Sequence, residues 1–232
     1  MLCIHRGYIV STQKSAGLAT KAYAQLRDAI IDGKLLPGEP LYEIHLATSL
    51  GMSRTPIREA LKLLAQDGYV ESLPSRGYTV PKRSHEDLRE FFEMRAILEA
   101  GASRYAALRA TDAEIAQMER LCVRYETEKN DEKWTQLGHD FHDLIIDSAR
   151  NSRLRTILQL LNAQIVISRR TVARADAAHR KHAIRDHRDI LDAIKARNDV
   201  RAETLAAGHV WRSYETTLRS YSPDLFASKK SA

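Results

Sequence analysis

At 232 residues the chain is long enough for one large domain or two modest ones, each with its own core. Apolar residues make up 44%, charged residues 28% and aromatics 6%, with six prolines and ten glycines, a balance that favours a helical, soluble globular protein. The net charge is +6 and the isoelectric point about 9.3, which suits a polyanionic partner.

No apolar run approaches the roughly 18–20 residues that a membrane span needs. The start, MLCIHRGYIVSTQKSAG, has no sustained apolar core, so no secretory signal is expected. Cys3 and Cys122 are far apart and form no CxxC, which reads as free thiols in a reducing compartment and places the protein in the cytoplasm. The basic excess is concentrated early. Residues 1–83 hold eleven Lys/Arg against seven Asp/Glu, and residues 84–232 hold twenty-five against twenty-three.

In chain order, residues 1–17 read as a flexible N-terminal arm. A first helix is predicted from about Thr20 to Asp32, with Ala22, Leu26, Ala29 and Ile30 at helical spacing and Gly33 ending it. LLPGEPL follows as a turn. A second helix runs from about Tyr42 to Leu50 and stops at Gly51. SRTPIREALKLLAQDG begins a third, with Ser53 or Thr55 as cap, Pro56 in the first turn and Gly68 at the exit. YVESLP and GYTVP, separated by SRG, read as a hairpin. This order of elements is that of a winged helix–turn–helix domain.

Chemistry concentrates on the third helix. Ile57, Leu61 and Leu64 form an inward stripe, while Arg54 and Arg58 lie one turn apart on another flank. An arginine fork near a helix N-terminus can hold a phosphate or read guanine O6 and N7. Thr55 adds a hydroxyl, and Arg76 beside Gly77 sits at the hairpin tip. Two exposed arginines are more often plain solvated charge, so position carries this reading more than residue type does.

The stretch LRDAIIDGKLLPGEPLYEIHLATSLGMSRTPIREALKLLAQDGYVESLPSRGYTV resembles the DNA-binding domain of the GntR family of bacterial transcription regulators. By that resemblance Arg54, Thr55 and Arg58 contact DNA from the recognition helix, and Arg76 and Gly77 from the wing. A further polar or basic contact is common early in the second helix. Here Ile44 takes that place, and His45 is the substitute.

Residues 82–86 read as a linker. Beyond them the chain is helical throughout, in six segments of about 85–108, 112–129, 132–149, 152–173, 178–196 and 199–221, expected to form an antiparallel all-α bundle with a tail over 223–232. The fold class is therefore mainly α, with the winged domain at 18–81 and the bundle at 87–222. No phosphate loop, nucleophile elbow or HExxH is present.

The segment GHDFHD places two histidines and two aspartates in six positions. Only His142 falls in register with the apolar residues Ile145 and Ala149. His187 is likewise in register with Ile184, Leu191 and Ile194, His209 follows Ala202 and Leu205, and Arg95 lies among Phe91, Leu98 and Ala102. A single inward histidine is usually a satisfied core group. Three on three helices suggest a site, because bundle cores are where metal centres are built. An inward arginine requires an anion, permanent or bound.

FEMRAILEAGASRYAA, FHDLIIDSARNSRL, DHRDILDAIKARN and AAGHV together resemble the FCD effector-binding domain of the FadR subfamily. That resemblance implies a divalent transition metal, such as zinc or nickel, held by His142, His187 and His209. It also implies a small organic acid effector met by Arg95 and the histidines, and a homodimer bound to a palindromic double-stranded operator, more often as a repressor. The family pattern has Asp or Asn four residues before the first histidine, whereas this chain has Gly138. Either water or effector oxygen completes the metal, or the histidines bind the effector directly. A metal-dependent enzyme with an accessory winged domain is the alternative, although Asp140 lies on a different face from His142 and no inward general base is evident.

Overall fold

The computed structural model describes residues 7–74, 77–82, 84–169 and 177–221. Arg76 and the expected tail over 223–232 lie outside them. The chain divides into two compact units, Met1–Lys82 and Arg83–Ala232.

In the first unit, α1 (Gly7–Ile31), α2 (Glu43–Leu50) and α3 (Arg54–Gln66) combine with three short strands, β1 (Pro40–Leu41), β2 (Glu71–Leu73) and β3 (Gly77–Thr79). The apolar faces of α1 and α3 meet: Ala22, Leu26 and Ile30 are buried with Ile57, Leu61 and Leu64. Gly51 and Gly68 take positive φ at the ends of α2 and α3, as helix exits require. Ser53 stands at the N-cap of α3 but makes no capping hydrogen bond with its side chain.

Two expectations change here. The helix predicted from Thr20 begins at Gly7, so residues 7–17, read as a flexible arm, are helical in backbone. That stretch holds no proline and, after Gly7, only Gly17, so nothing in it stops a helix from propagating. The LLPGEPL segment, read as a turn, also contains β1. The sheet order is β1-β3-β2, all antiparallel, with Leu41 opposite Tyr78 and Ser72 opposite Tyr78 on the other edge. β1 is paired from about forty residues away, which local sequence does not reveal.

The second unit is an all-α bundle: α4 (His85–Arg109), α5 (Asp112–Thr127), α6 (Asp131–Ser148), α7 (Ser152–Arg169), α8 (Ala177–Lys195) and α9 (Asp199–Tyr221). α4 starts inside the expected 82–86 linker because Ser84 and Asp87 form a reciprocal capping box, and Thr111 with Glu114 does the same for α5. The core gathers Met118, Phe141, Leu158, Ile190, Leu191 and Ile194, and a smaller cluster joins Leu88, Phe92 and Ala96 to Val210. Cys122 is buried on α5, and burial pushes its thiol up to about 12. Among the described residues, no helix is long and apolar enough to cross a membrane.

Two turns of this unit share a three-residue pattern, Ala149-Arg150-Asn151 and Ala196-Arg197-Asn198. Each arginine takes positive φ, +52° and +55°, to end one helix. Each asparagine then accepts a backbone N–H of the next, from Leu154 and from Arg201. A non-glycine residue in that conformation costs about 1–2 kcal/mol, and here side-chain bonds offset it. Arg150 pairs with Glu114, and Arg197 donates to the carbonyls of Ala107 and Ala110.

Candidate functional site

Two places carry the chemistry. On the first unit, Arg54, Thr55 and Arg58 are all exposed along the start of α3, opposite its buried stripe. His45 is exposed on α2, its ring edge-on to Tyr42 with centroids 5.4 Å apart, and Ile44 beside it is 58% exposed. Gly77 has φ of +85°, and a Cβ there would lie 3.3 Å from the Leu41 carbonyl oxygen, so the wing backbone requires glycine for its own geometry.

The arginines have a partner that sequence reading missed. Glu43, the first residue of α2, accepts Arg58 Nε at 2.9 Å on one oxygen and Arg58 Nη2 at 2.8 Å on the other. Arg54 Nη2 reaches the second oxygen at 3.3 Å. Hydrogen bonding from Arg58 holds the Glu43 carboxyl below the usual carboxylate range.

On the second unit, His142 (α6), His187 (α8) and His209 (α9) converge, each offering one ligand atom within 4.8 Å of the others. The Nε2 atoms of His142 and His187 stand 3.2 Å apart. Two nitrogens on one tetrahedral zinc, at bonds of about 2.0–2.1 Å, are separated by about 3.3–3.4 Å. The opposite edges of two rings meet carboxylates: His142 Nδ1 lies 3.4 Å from Glu99 Oε2, and His209 Nδ1 lies 3.2 Å from Asp186 Oδ2. A carboxylate accepting from Nδ1–H fixes the tautomer and leaves the Nε2 lone pair to coordinate, the arrangement found behind metal-bound imidazoles. His187 is wholly buried, and burial, together with nearby His209, pushes its pKa well below the ordinary histidine value. Burial thus favours its neutral form, the form in which an imidazole binds a metal. The residues present fit a divalent transition ion.

Arg95 is 2% exposed on α4, with Glu99 one turn on at 5%. Glu99 Oε1 accepts a hydrogen bond from Arg95 Nε at 2.7 Å and pairs with Nη2 at 2.5 Å, while its other oxygen faces His142. The permanent anion that an inward arginine requires is thus Glu99. Its i, i+4 spacing was the available signal. Among the described residues, Arg95 Nη1 and His187 Nδ1 are buried with no hydrogen-bond partner.

Gly138 has a physical reason. A Cβ at that position would come 3.2 Å from Tyr125 Cε2, 3.6 Å from the Tyr125 hydroxyl and 3.7 Å from His187 Cε1. The Tyr125 ring takes the space and stacks on His187 at 4.6 Å. His187 is stacked on its other face by Phe141, and Tyr125 in turn by Trp134, each at 4.6 Å. Asp140 does not join the cluster and accepts a hydrogen bond from Gln136 instead.

A small winged unit with arginines along its third helix, joined in one chain to a helical bundle with a largely buried histidine–arginine cluster, is the arrangement of a DNA-binding regulator, and the matched families and relatives are regulators rather than enzymes. Family models agree: "Bacterial regulatory proteins, gntR family" matches residues 18–80, and "FCD domain" matches residues 90–212. The chain belongs to the GntR family of bacterial regulators, in the FCD-bearing, FadR-like subfamily. It is 31% identical over 194 residues to the HTH-type transcriptional regulator YdhC of Bacillus subtilis (strain 168), covering 81% of this chain and 85% of that one. It is 26% identical over 213 residues to the HTH-type transcriptional repressor RspR of Escherichia coli (strain K12), covering 89% and 92%. Among solved structures, E. coli McbR/YncC shares the fold with a TM-score of 0.74 at 24% identity, over 88% of this chain and 98% of that one.

Proposed function

We propose that this regulator binds a palindromic operator as a cytoplasmic homodimer, represses from it, and responds to a small organic acid bound in the bundle. The observation that carries the effector reading is Arg95. It is a buried guanidinium with one nitrogen unpartnered among the described residues, linked through Glu99 to His142 of a three-imidazole cluster. Nη1 is a ready donor to a carboxylate, and His142, His187 and His209 would hold a divalent ion such as zinc or nickel. The ion would supply open coordination positions for an acid oxygen. Tyr125 occupies the side from which residue 138 would otherwise reach the cluster, so completion of the ion's shell falls to effector or water.

On DNA, Arg54, Thr55 and Arg58 enter the major groove, with His45 beside them and Gly77 and Arg76 as the wing. The homodimer reading is supported by an exposed apolar row on α4: Met94, Ile97, Tyr105 and Leu108 at helical spacing. The effector acts on DNA affinity only through its different affinities for the DNA-competent and DNA-incompetent states.

A thermal-shift screen of small mono- and dicarboxylates, with zinc, nickel or chelator, tests this. At least one acid should raise the melting temperature, since saturation at about a hundred times Kd contributes about 2.7 kcal/mol. The same acid should change the operator gel shift. Elemental analysis should find one divalent ion per chain, lost in His187→Ala. No response to any acid in either assay would reject the effector reading, and a metal-free native protein would reject the ion.

A further inference from the structure

We infer that Glu43 sets a division of labour between the two arginines of α3: it presents Arg58 end-on to read guanine and leaves Arg54 to hold a phosphate. This rests on the reading that α3 docks in the major groove.

A carboxylate is electrostatically unfavourable on a face that meets phosphates, yet Glu43 stands beside both arginines, with its side chain only 20% exposed. Its two oxygens take the side edge of the Arg58 guanidinium, the Nε–H and one Nη2–H. Two parallel bonds fix the plane of the group as well as its position. The edge left over is the outer one, with one N–H on each Nη. That pair spans O6 and N7 of guanine. Nε, which an end-on contact does not use, is the atom spent on Glu43.

Arg54 is held differently. It makes a single 3.3 Å contact to one Glu43 oxygen, and its side chain is 61% exposed. Its plane is not fixed, which suits a phosphate at the entrance of the groove better than a base edge. Glu43 is thus a positioning residue for specificity, and Arg58 is the base reader.

The test is selection from a randomised operator with the full-length protein, alongside binding to random-sequence DNA at several salt concentrations and thermal melts. The native chain should demand guanine at one position per half-site, and Arg58→Ala should lose that demand. Glu43→Gln should weaken it by about tenfold, leave the other positions unchanged, and bind random DNA more tightly because a negative charge is gone. Glu43→Asp keeps the charge but shortens the reach, so it should lose discrimination without the gain on random DNA. Arg54→Ala should weaken all sequences evenly and reduce the salt slope by about one. If Glu43→Gln and Glu43→Asp keep the guanine preference and show only lower melting temperatures, Glu43 is a tie between α2 and α3 and the inference is wrong. If Arg58→Ala leaves every base preference unchanged, the recognition-helix reading itself falls.

Discussion

Arg95 and Glu99 lie one turn apart on α4, and both are almost wholly out of solvent. Two charges buried together offset much of each other's desolvation, but neither tolerates loss of the other. Arg95→Ala therefore does more than remove the proposed effector contact. It leaves the Glu99 carboxylate buried beside His142 with its main partner gone, and the expected loss is about 3–5 kcal/mol. Replacing both with leucine keeps the volume and removes both charges, so Arg95→Leu with Glu99→Leu should recover most of that stability. Urea unfolding of the single and double variants measures it; a single-variant loss under about 1 kcal/mol would show that the pair is better solvated than its burial indicates. For effector studies, a loss of response in Arg95→Ala has to be separated from this stability loss before it is assigned to binding.

At the scale of elements, α6 shows one preference overriding another. Glycine inside a helix costs about 1 kcal/mol relative to alanine, so Gly138→Ala ought to stabilise α6. The added methyl would, however, press on a Tyr125 ring stacked between Trp134 and His187. Overpacking of that kind costs about 1–3 kcal/mol. The net effect should be destabilising, with His187 displaced, and calorimetry on the variant decides the sign; a higher melting temperature would mean the ring yields easily. Most of the helices were legible in the sequence because their apolar residues recur at helical spacing, whereas the capping boxes at Ser84 and Thr111 went unread and α4 starts inside the expected linker. The inward turn of His142, His187, His209 and Arg95 followed from the same periodicity. What periodicity could not supply was anything brought by a second element. Tyr125 comes from α5 into the space beside Gly138, Asp186 comes from α8 to His209, and β1 pairs with a strand far along the chain. Glu99 and Glu43 belong to a middle class. The first was readable from its spacing to Arg95, while the second needed the fold of α2 against α3.

At the scale of the whole molecule, one chain carries a DNA-binding winged unit and a helical bundle, and if the bundle takes the proposed effector, linkage sets what their coupling can be. If the effector lowers operator affinity by some factor, operator DNA must lower effector affinity by the same factor. Measuring that reciprocal change requires a signal from the bundle while DNA is bound, and the aromatic stack supplies one. Trp134 lies on Tyr125, Tyr125 on His187, and His187 meets both other histidines. The chain's other tryptophan, Trp211, is 39% exposed on α9 and packs edge-on against Tyr214, outside that stack. An ion or acid arriving at the imidazoles should therefore change the emission of one indole and leave the other as a constant background. Titration of the native chain should show the change and Trp134→Phe should abolish it, whereas an unchanged signal in Trp134→Phe would disconnect the stack from the site. The protein would then report its own occupancy optically, with no label attached.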